Sequence, residues 1–167
     1  LVIKGKEEAR LSAQGVLLGW PGAYGLICDL GGSSMELAEI GDGKVGKRIS
    51  SIIGPLKLRE LQGSAAARQE LIARSMAKLT AKMGPQHNRL FLVGGSWRSL
   101  ARIDMERRAY PLHVIHEYRM DKDAVQKTAA FLRKSDPEKL RIKCGISGAR
   151  MALLPYAIEV LDALVES

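Results

Sequence analysis

The sequence predicts an α/β domain with a mixed sheet of five strands and helices packed on it. Three short apolar segments joined by tight turns come first, and they are typical of an antiparallel meander. Further along the chain, helical and strand-like segments alternate, which is the pattern of crossover connections between parallel strands. We therefore expect the order β-β-β-α-β-α-β-α.

The meander occupies the first third of the chain. Residues 26–30 and 35–40 are short apolar runs, and each is expected to form a strand. The Gly-Asp-Gly turn at residues 41–43 favours a hairpin. It leads into a third strand over residues 45–53, which a Gly-Pro dipeptide ends.

The rest of the chain alternates helices with single strands. A helix is predicted over residues 64–83, because apolar side chains recur there at spacings of three and four. Residues 90–93 are a continuous apolar run typical of a buried strand, and a helical stretch follows it through Ile103. A fifth strand is expected at residues 113–117 and a helix at 121–133. The last amphipathic helix has its apolar residues at Met151, Leu154, Ile158, Leu161 and Val165.

Length and composition indicate one globular domain. A chain of 167 residues can bury a substantial core, and 46% hydrophobic with 26% charged residues is ordinary. No apolar run approaches the roughly 18 residues of a membrane span, so we expect no membrane association. Cys28 and Cys144 belong to no Cys-x-x-Cys pair, which disfavours a disulfide framework or a zinc site and favours a cytoplasmic location.

The chain is basic, with 26 Lys and Arg against 18 Asp and Glu and a net charge of +8. That balance favours polyanionic partners such as nucleic acid, polyphosphate or nucleotides. A solvated basic surface explains the same numbers, and charge alone does not decide between the two.

The stretch DLGGSSMEL, residues 29–37, ends the first strand in an acid and continues as a loop rich in hydrogen-bond donors. Its two glycines permit positive φ and let the backbone approach a ligand closely. Consecutive N–H groups in such a turn form an anion nest, to which serine hydroxyls add donors. The residues expected to cradle a phosphate are Gly31, Gly32, Ser33 and Ser34.

Two acids flank this loop. Asp29 ends a buried strand, where an unpaired carboxylate is costly, and Glu36 shares a strand face with the apolar Ala38 and Ile40. Two acids beside a phosphate-sized nest favour metal-assisted phosphate chemistry. A plain hairpin turn, with Asp29 capping its own loop, is the alternative.

A second glycine-rich turn, Gly94-Gly95-Ser96, joins the strand at residues 90–93 to a helix. The N–H groups of that helix face the end of the strand, where an anion binds favourably. Such turns are common in α/β proteins without ligands. Two of them after apolar strands of one sheet are more informative than either alone.

These motifs carry a family resemblance. DLGGSSMEL is similar to D-[IL]-G-G-G-S-T-E-L, and GKEEARL is similar to G-x-E-E-A-R-L. SIIGPLKL, VGGSWRSLARI and ISGARMALLPYAIEVL look like three further motifs of the same set, in the same order. The sequence therefore resembles the exopolyphosphatase/guanosine pentaphosphate phosphatase (Ppx/GppA) family over nearly its whole length. Ser33, Met35 and Ala157 depart from the family pattern.

The resemblance implies an actin-like (ribonuclease H-like) domain of the sugar-kinase and heat-shock ATPase superfamily. Residues 1–20 would be a linker strand and helix from a missing N-terminal domain. Residues 21–167 would be the second actin-like domain of the phosphatase. The active site of the family lies in a cleft between two such domains, each with a phosphate loop, so this fragment alone is expected to be inactive.

The resemblance also implies roles for single residues. Glu8 matches the base that activates the attacking water, and Glu36 joins it as a catalytic acid. Asp29 and Glu36 match the acids that hold Mg²⁺, an ion that prefers oxygen ligands. The implied reaction releases orthophosphate from inorganic polyphosphate or guanosine pentaphosphate, and a homodimer is expected. Without the resemblance, Glu7 and Glu8 are simply helix-start acids favoured by the helix dipole.

Two other functions stay open. The chain could be the ATP-binding domain of a sugar kinase-like protein, with its adenosine site near the 94–96 turn. It could also be a non-catalytic polyanion-binding module, which the net charge alone would suit.

Overall fold

The structure is a computed structural model that describes residues 3–84 and 88–167. The strand-like residues 1–3 lie largely outside this range. The elements are α1 (Gly5–Gly19), β1 (Gly25–Leu30), β2 (Met35–Gly41), β3 (Lys44–Ser51), α2 (Pro55–Glu60), α3 (Ala65–Met83), β4 (Leu90–Val93), α4 (Gly95–Arg107), α5 (Lys122–Lys134), α6 (Pro137–Lys143) and α7 (Gly148–Glu166).

The sheet is mixed and has the strand order β3-β2-β1-β4. The meander is confirmed, because β1 pairs antiparallel with β2 and β2 pairs antiparallel with β3. β4 pairs parallel with β1, as a crossover connection requires. The register places Asp29 opposite Glu36 on one side and opposite Val93 on the other.

The prediction of a fifth strand was wrong. The described part of the chain forms four strands, and residues 113–117 belong to none of them. Glu117 has a positive φ of 57°, and the N–H of Tyr118 donates to the carbonyl of Ile115 at 3.0 Å, so the segment ends in a turn. The segment is anchored differently, since the hydroxyl of Tyr118 donates a hydrogen bond of 2.6 Å to Oδ2 of Asp104. The apolar side chain of Val114 is left 59% exposed.

The element order also differs from the expected one. The helix expected within residues 1–20 is present as α1, but two short helices, α2 and α6, were not anticipated. Asp136 caps α6 by accepting hydrogen bonds from the backbone N–H groups of Glu138 and Lys139.

The two faces of the sheet bury separate cores. Leu26, Cys28 and Leu30 belong to the larger core, to which the helices after β3 contribute. Ile27 lies in the smaller core, formed with Ala9 and Ala13 of α1. Side chains alternate along a strand, so Asp29 faces the same side of the sheet as α1.

Within the described residues, none of the helices is long and apolar enough to cross a bilayer.

Candidate active site at the ends of β1 and β2

A cross-strand triplet of polar residues lies on the α1 face of the sheet. Asp29 of β1 is opposite Glu36 of β2, and Glu36 is opposite Ser50 of β3. The side chain of Asp29 is half-buried, whereas Glu36 is only 1% exposed. Two carboxylates on adjacent strands therefore meet where the apolar part of this face ends.

Glu36 has one satisfied and one free carboxylate oxygen. The hydroxyl of Ser50 donates a hydrogen bond of 2.8 Å to Oε1 of Glu36. Oε2 is buried and accepts no hydrogen bond from the residues that the structure describes. Burial raises the pKa of Glu36, and the hydroxyls of Ser50 and Ser34 oppose that rise. The negative charges of Glu8 and Asp29 raise this pKa further.

Helix α1 supplies the third acid. Glu8 and Ser12 are four residues apart and so lie on one face of the helix. The hydroxyl of Ser12 donates a hydrogen bond to Oδ2 of Asp29. This contact fixes the first turns of α1 over the ends of β1 and β2.

The two adjacent glutamates of α1 have different surroundings. Glu7 is held by Arg10, whose Nε donates to Oε2 of Glu7 at 2.9 Å. That hydrogen bond lowers the pKa of Glu7. Glu8 has no ion pair among the described residues, and its negative charge raises the pKa of Glu36. Of the two acids, Glu8 is therefore the one available to a ligand at the site.

The 31–34 loop is closed and backed by the segment after β3. The N–H of Gly31 donates to the carbonyl of Ser34 at 3.0 Å, and the N–H of Leu56 donates to the carbonyl of Gly32 at 2.8 Å. Gly54 packs so closely that a Cβ there would lie 2.5 Å from the carbonyl oxygen of Gly32. Gly32 and Ser33 are exposed, so the open side of the loop is accessible to a ligand.

The reason for glycine in this loop differs from the expected one. Neither Gly31 nor Gly32 takes positive φ. A Cβ at Gly32 would lie 2.7 Å from Cδ1 of Leu56, so any side chain there would require the end of the Leu56 side chain to shift. Ser33, which replaces the third glycine of the family motif, also has negative φ and is accommodated without strain.

The second glycine-rich turn lies directly beside the first. Gly94 has φ 120°, and a Cβ there would lie 2.8 Å from the carbonyl oxygen of Leu30 and 3.5 Å from Oδ1 of Asp29. Helix α4 begins at the next residue, so its N-terminus is adjacent to Asp29. The structure thus brings Gly94, Gly95 and Ser96 to the same end of the sheet as the 31–34 loop.

A cation also lies over this turn. A Cβ at Gly95 would stand 3.0 Å from Nε of Arg150, which belongs to the first turn of α7. Arg150 is exposed and has no ion pair among the described residues. Its guanidinium and the N-terminus of α4 both favour an anion at this place.

The carboxylates of this site would supply only some of the ligands of a Mg²⁺ ion. Among the described residues, no group of three or more His, Cys, Asp or Glu side chains converges closely enough to hold a metal ion. Mg²⁺ is usually held by one or two carboxylates together with water and substrate phosphates. Asp29 and Glu36, with the free Oε2 of Glu36, match that kind of site.

Comparison with known proteins supports the family that the sequence motifs indicate. The model of the Ppx/GppA phosphatase family matches residues 1–167. The chain belongs to the Ppx/GppA phosphatase family. Among curated proteins, none matches this sequence.

Solved structures of this family share the fold. The Aquifex aeolicus Ppx/GppA phosphatase, in its type II variant, is 18% identical with a TM-score of 0.75, over 99% of this chain and 57% of that one. An exopolyphosphatase from Cytophaga hutchinsonii is 15% identical with a TM-score of 0.76, over 97% of this chain and 55% of that one. The present chain therefore spans a little over half the length of these relatives.

Three residues at the site were missed by sequence reasoning. Ser12 could have been found, because it lies one helical turn after Glu8. Ser50 requires the register between β2 and β3, which the sequence does not fix across the bulge near Ala38. Arg150 is 55 residues from Gly95, and only the packing of α7 on α4 brings the two together.

Proposed function

We propose that this chain is the C-terminal half of a phosphatase that releases orthophosphate from the end of inorganic polyphosphate or from guanosine pentaphosphate. One arrangement carries the proposal: Asp29 and Glu36 lie opposite each other on the sheet face covered by α1, the helix that contains Glu8, and beside two glycine-rich loops. Acids next to anion-binding loops are the parts that phosphoanhydride hydrolysis needs. Family membership and the shared fold support the same reaction class.

The two loops would bind the terminal phosphate. The open side of the 31–34 loop would supply N–H and hydroxyl donors, and the N-terminus of α4 would supply its first N–H groups. Arg150 would add a positive charge beside Gly95. Donors preorganised in this way stabilise the charge of a transferring phosphoryl group more than they stabilise the bound substrate.

Glu8 would take the proton of the attacking water. It lies at the N-terminal end of α1, without an ion-pair partner in the part of the chain that the structure describes. A carboxylate near the attacked phosphorus can orient a water and accept its proton as the new P–O bond forms.

Asp29 and Glu36 would hold Mg²⁺. The bound ion would neutralise negative charge on the phosphate oxygens. Ser12 would keep Asp29 oriented, since it donates to Oδ2 and leaves Oδ1 toward the loop of Gly94.

The rest of the catalytic machinery belongs, in this proposal, to a second domain. Residues 1–20 would connect that domain to residues 21–167, and it would supply a further phosphate loop. The greater length of the solved relatives supports this arrangement.

The decisive experiment measures orthophosphate release by the longer protein and by the 167-residue chain. Inorganic polyphosphate, guanosine pentaphosphate and ATP would be offered separately. We expect the longer protein to hydrolyse at least one of the first two and the isolated chain to release negligible phosphate. A comparable rate from the isolated chain would refute the two-domain arrangement. Turnover of ATP alone would refute the substrate class.

A further inference from the structure

We propose that Ser50 is a positioning residue for Glu36. Its hydroxyl holds Oε1, so that Oε2 is the atom presented to the ligand of the site. This inference rests on the proposed function only in taking Glu36 to be a metal-binding acid. It adds a specific residue of β3 and a specific oxygen atom to that assignment.

The strand register places Ser50 where it can do this. Ser50 lies directly opposite Glu36 in the antiparallel pairing of β2 and β3. Side chains of opposed residues lie on the same face of a sheet. The hydroxyl donates to Oε1 over 2.8 Å, a normal length for an O–H donor.

The start of α1 closes over this pair. A Cβ at Gly5 would collide with Oγ of Ser50 and would lie 2.6 Å from Cβ of Ser50 and 3.2 Å from Oε1 of Glu36. Glycine is therefore required at position 5, and its backbone leaves the hydroxyl and Oε1 little room to move apart. The Ser50–Glu36 contact is constrained from the strand side and from the helix side.

The burial of Oε2, the second carboxylate oxygen of Glu36, needs an explanation. Oε2 is buried and accepts no hydrogen bond from the described residues, although a buried carboxylate oxygen without a partner is costly. A divalent cation, which needs oxygen ligands, would remove that cost. The Ser50 hydrogen bond fixes the orientation of the Glu36 carboxylate, so that the oxygen not bonded to Ser50 stays directed at the ligand.

A binding experiment tests this without relying on turnover. Free Mn²⁺, used as a probe for a divalent-cation site, is followed by electron paramagnetic resonance while protein is added. The variants are Ser50→Ala, Ser50→Thr, which keeps the hydroxyl, and Ser51→Ala as the matched control. Ser51 is the next residue of β3 and faces the other side of the sheet. Circular dichroism verifies that each variant is folded.

We expect Ser50→Ala to weaken Mn²⁺ binding by roughly ten-fold, the scale of one hydrogen bond to a charged group. Ser50→Thr and Ser51→Ala should bind Mn²⁺ within two-fold of the wild type. Equal affinity in Ser50→Ala, or no Mn²⁺ binding by the wild type, would overturn the inference. If the longer protein binds Mn²⁺ but hydrolyses neither polyphosphate nor guanosine pentaphosphate, the proposed function is refuted, and the Mn²⁺ affinities of the variants still decide the role of Ser50.

Discussion

Gly94 packs directly against the end of β1, and a Cβ on it would stand 3.5 Å from Oδ1 of Asp29. The same atom would lie 2.8 Å from the carbonyl oxygen of Leu30, which is closer than real Cβ contacts. Because Gly94 is also the residue before α4, this contact fixes the N-terminus of α4 beside Asp29. The close packing of the two glycine-rich loops therefore depends on the absence of a side chain at position 94.

Replacement of Gly94 by alanine should be strongly destabilising. Its φ of 120° and ψ of 172° belong to a region that almost only glycine occupies, and the new Cβ would also collide with Leu30. We expect a loss of about 3 kcal/mol in the free energy of unfolding, measured with urea. Gly43→Ala is the control, since Gly43 has positive φ but no atom near its Cβ position. It should cost about 1 kcal/mol. Equal losses in both variants would show that the contact with Leu30 contributes nothing.

The local parts of the fold could be predicted from the sequence. The helix expected at residues 64–83 is α3, Ala65–Met83, and the strand at 90–93 is β4, Leu90–Val93. In both segments, the secondary structure favoured by the spacing of apolar residues is also the one that tertiary packing stabilises. The prediction of a fifth strand failed because Val114 and Ile115 favour an extended backbone locally. In the structure this segment ends in a turn, in which the N–H of Tyr118 donates to the carbonyl of Ile115.

The candidate site also has a part that the sequence predicts and a part that it does not. The neighbourhood of Asp29 and Glu36 follows from a tight connection between two strands, so a motif was enough to find it. The contacts of Ser50 and Arg150 arise between elements distant in the chain, and no local pattern encodes them. The expectation of positive φ at Gly32 was wrong, and only the tertiary structure shows that Leu56 packs against this position.

Asp104 gives the protein a specific response to acid. Its side chain is fully buried at the end of α4 and accepts hydrogen bonds from Tyr118, Thr128 and Arg107. Burial alone would raise the pKa of Asp104, but these hydrogen bonds and the charge of Arg107 outweigh it and lower the pKa below the ordinary 3.8. A carboxyl with a lowered folded-state pKa stabilises the protein above its unfolded pKa and loses that effect as pH falls through the folded one.

Replacing Asp104 by asparagine should therefore cost about 3 kcal/mol at pH 7, measured by urea unfolding. The cost should shrink progressively below pH 3.8 as the wild-type carboxyl becomes protonated. Asp123→Asn is the matched control, because the Asp123–Lys127 pair is on the surface and should contribute little at either pH. A cost for Asp104→Asn that does not change with pH would contradict the assigned cause.

Glu8 and Glu7 offer a paired test of the catalytic base. In the longer protein, Glu8→Gln should reduce kcat by about 10²–10⁴-fold with KM nearly unchanged, because a base acts mainly in the transition state. Glu7→Gln breaks the contact with Arg10 on the same helix turn and should leave kcat within a few-fold of the wild type. Phosphate release from polyphosphate measures both variants. If the two substitutions have the same effect on kcat, Glu8 is only a helix-start acid.

The last prediction concerns the 31–34 loop. Gly32→Val places a branched side chain where Cδ1 of Leu56 already lies within 2.7 Å of the Cβ position, so either Leu56 or the loop must move. We expect a folded protein, because the loop lies at the end of the sheet, with pyrophosphate affinity reduced at least about ten-fold. Removing the hydroxyl with Ser34→Ala should be milder and should cost roughly 1–2 kcal/mol of binding.

A double variant shows whether the loss of pyrophosphate affinity comes from the displacement of Leu56 or from the valine side chain itself. Adding Leu56→Ala to Gly32→Val frees the space behind the loop and should restore most of the pyrophosphate affinity if Leu56 is what forces the loop to move. Gly63→Val is the control, since nothing lies near the Cβ position of Gly63 and it is distant in sequence from the loop. Calorimetry measures the binding, and circular dichroism verifies the fold. Unchanged pyrophosphate binding by a folded Gly32→Val protein would mean that the 31–34 loop is only the turn between β1 and β2.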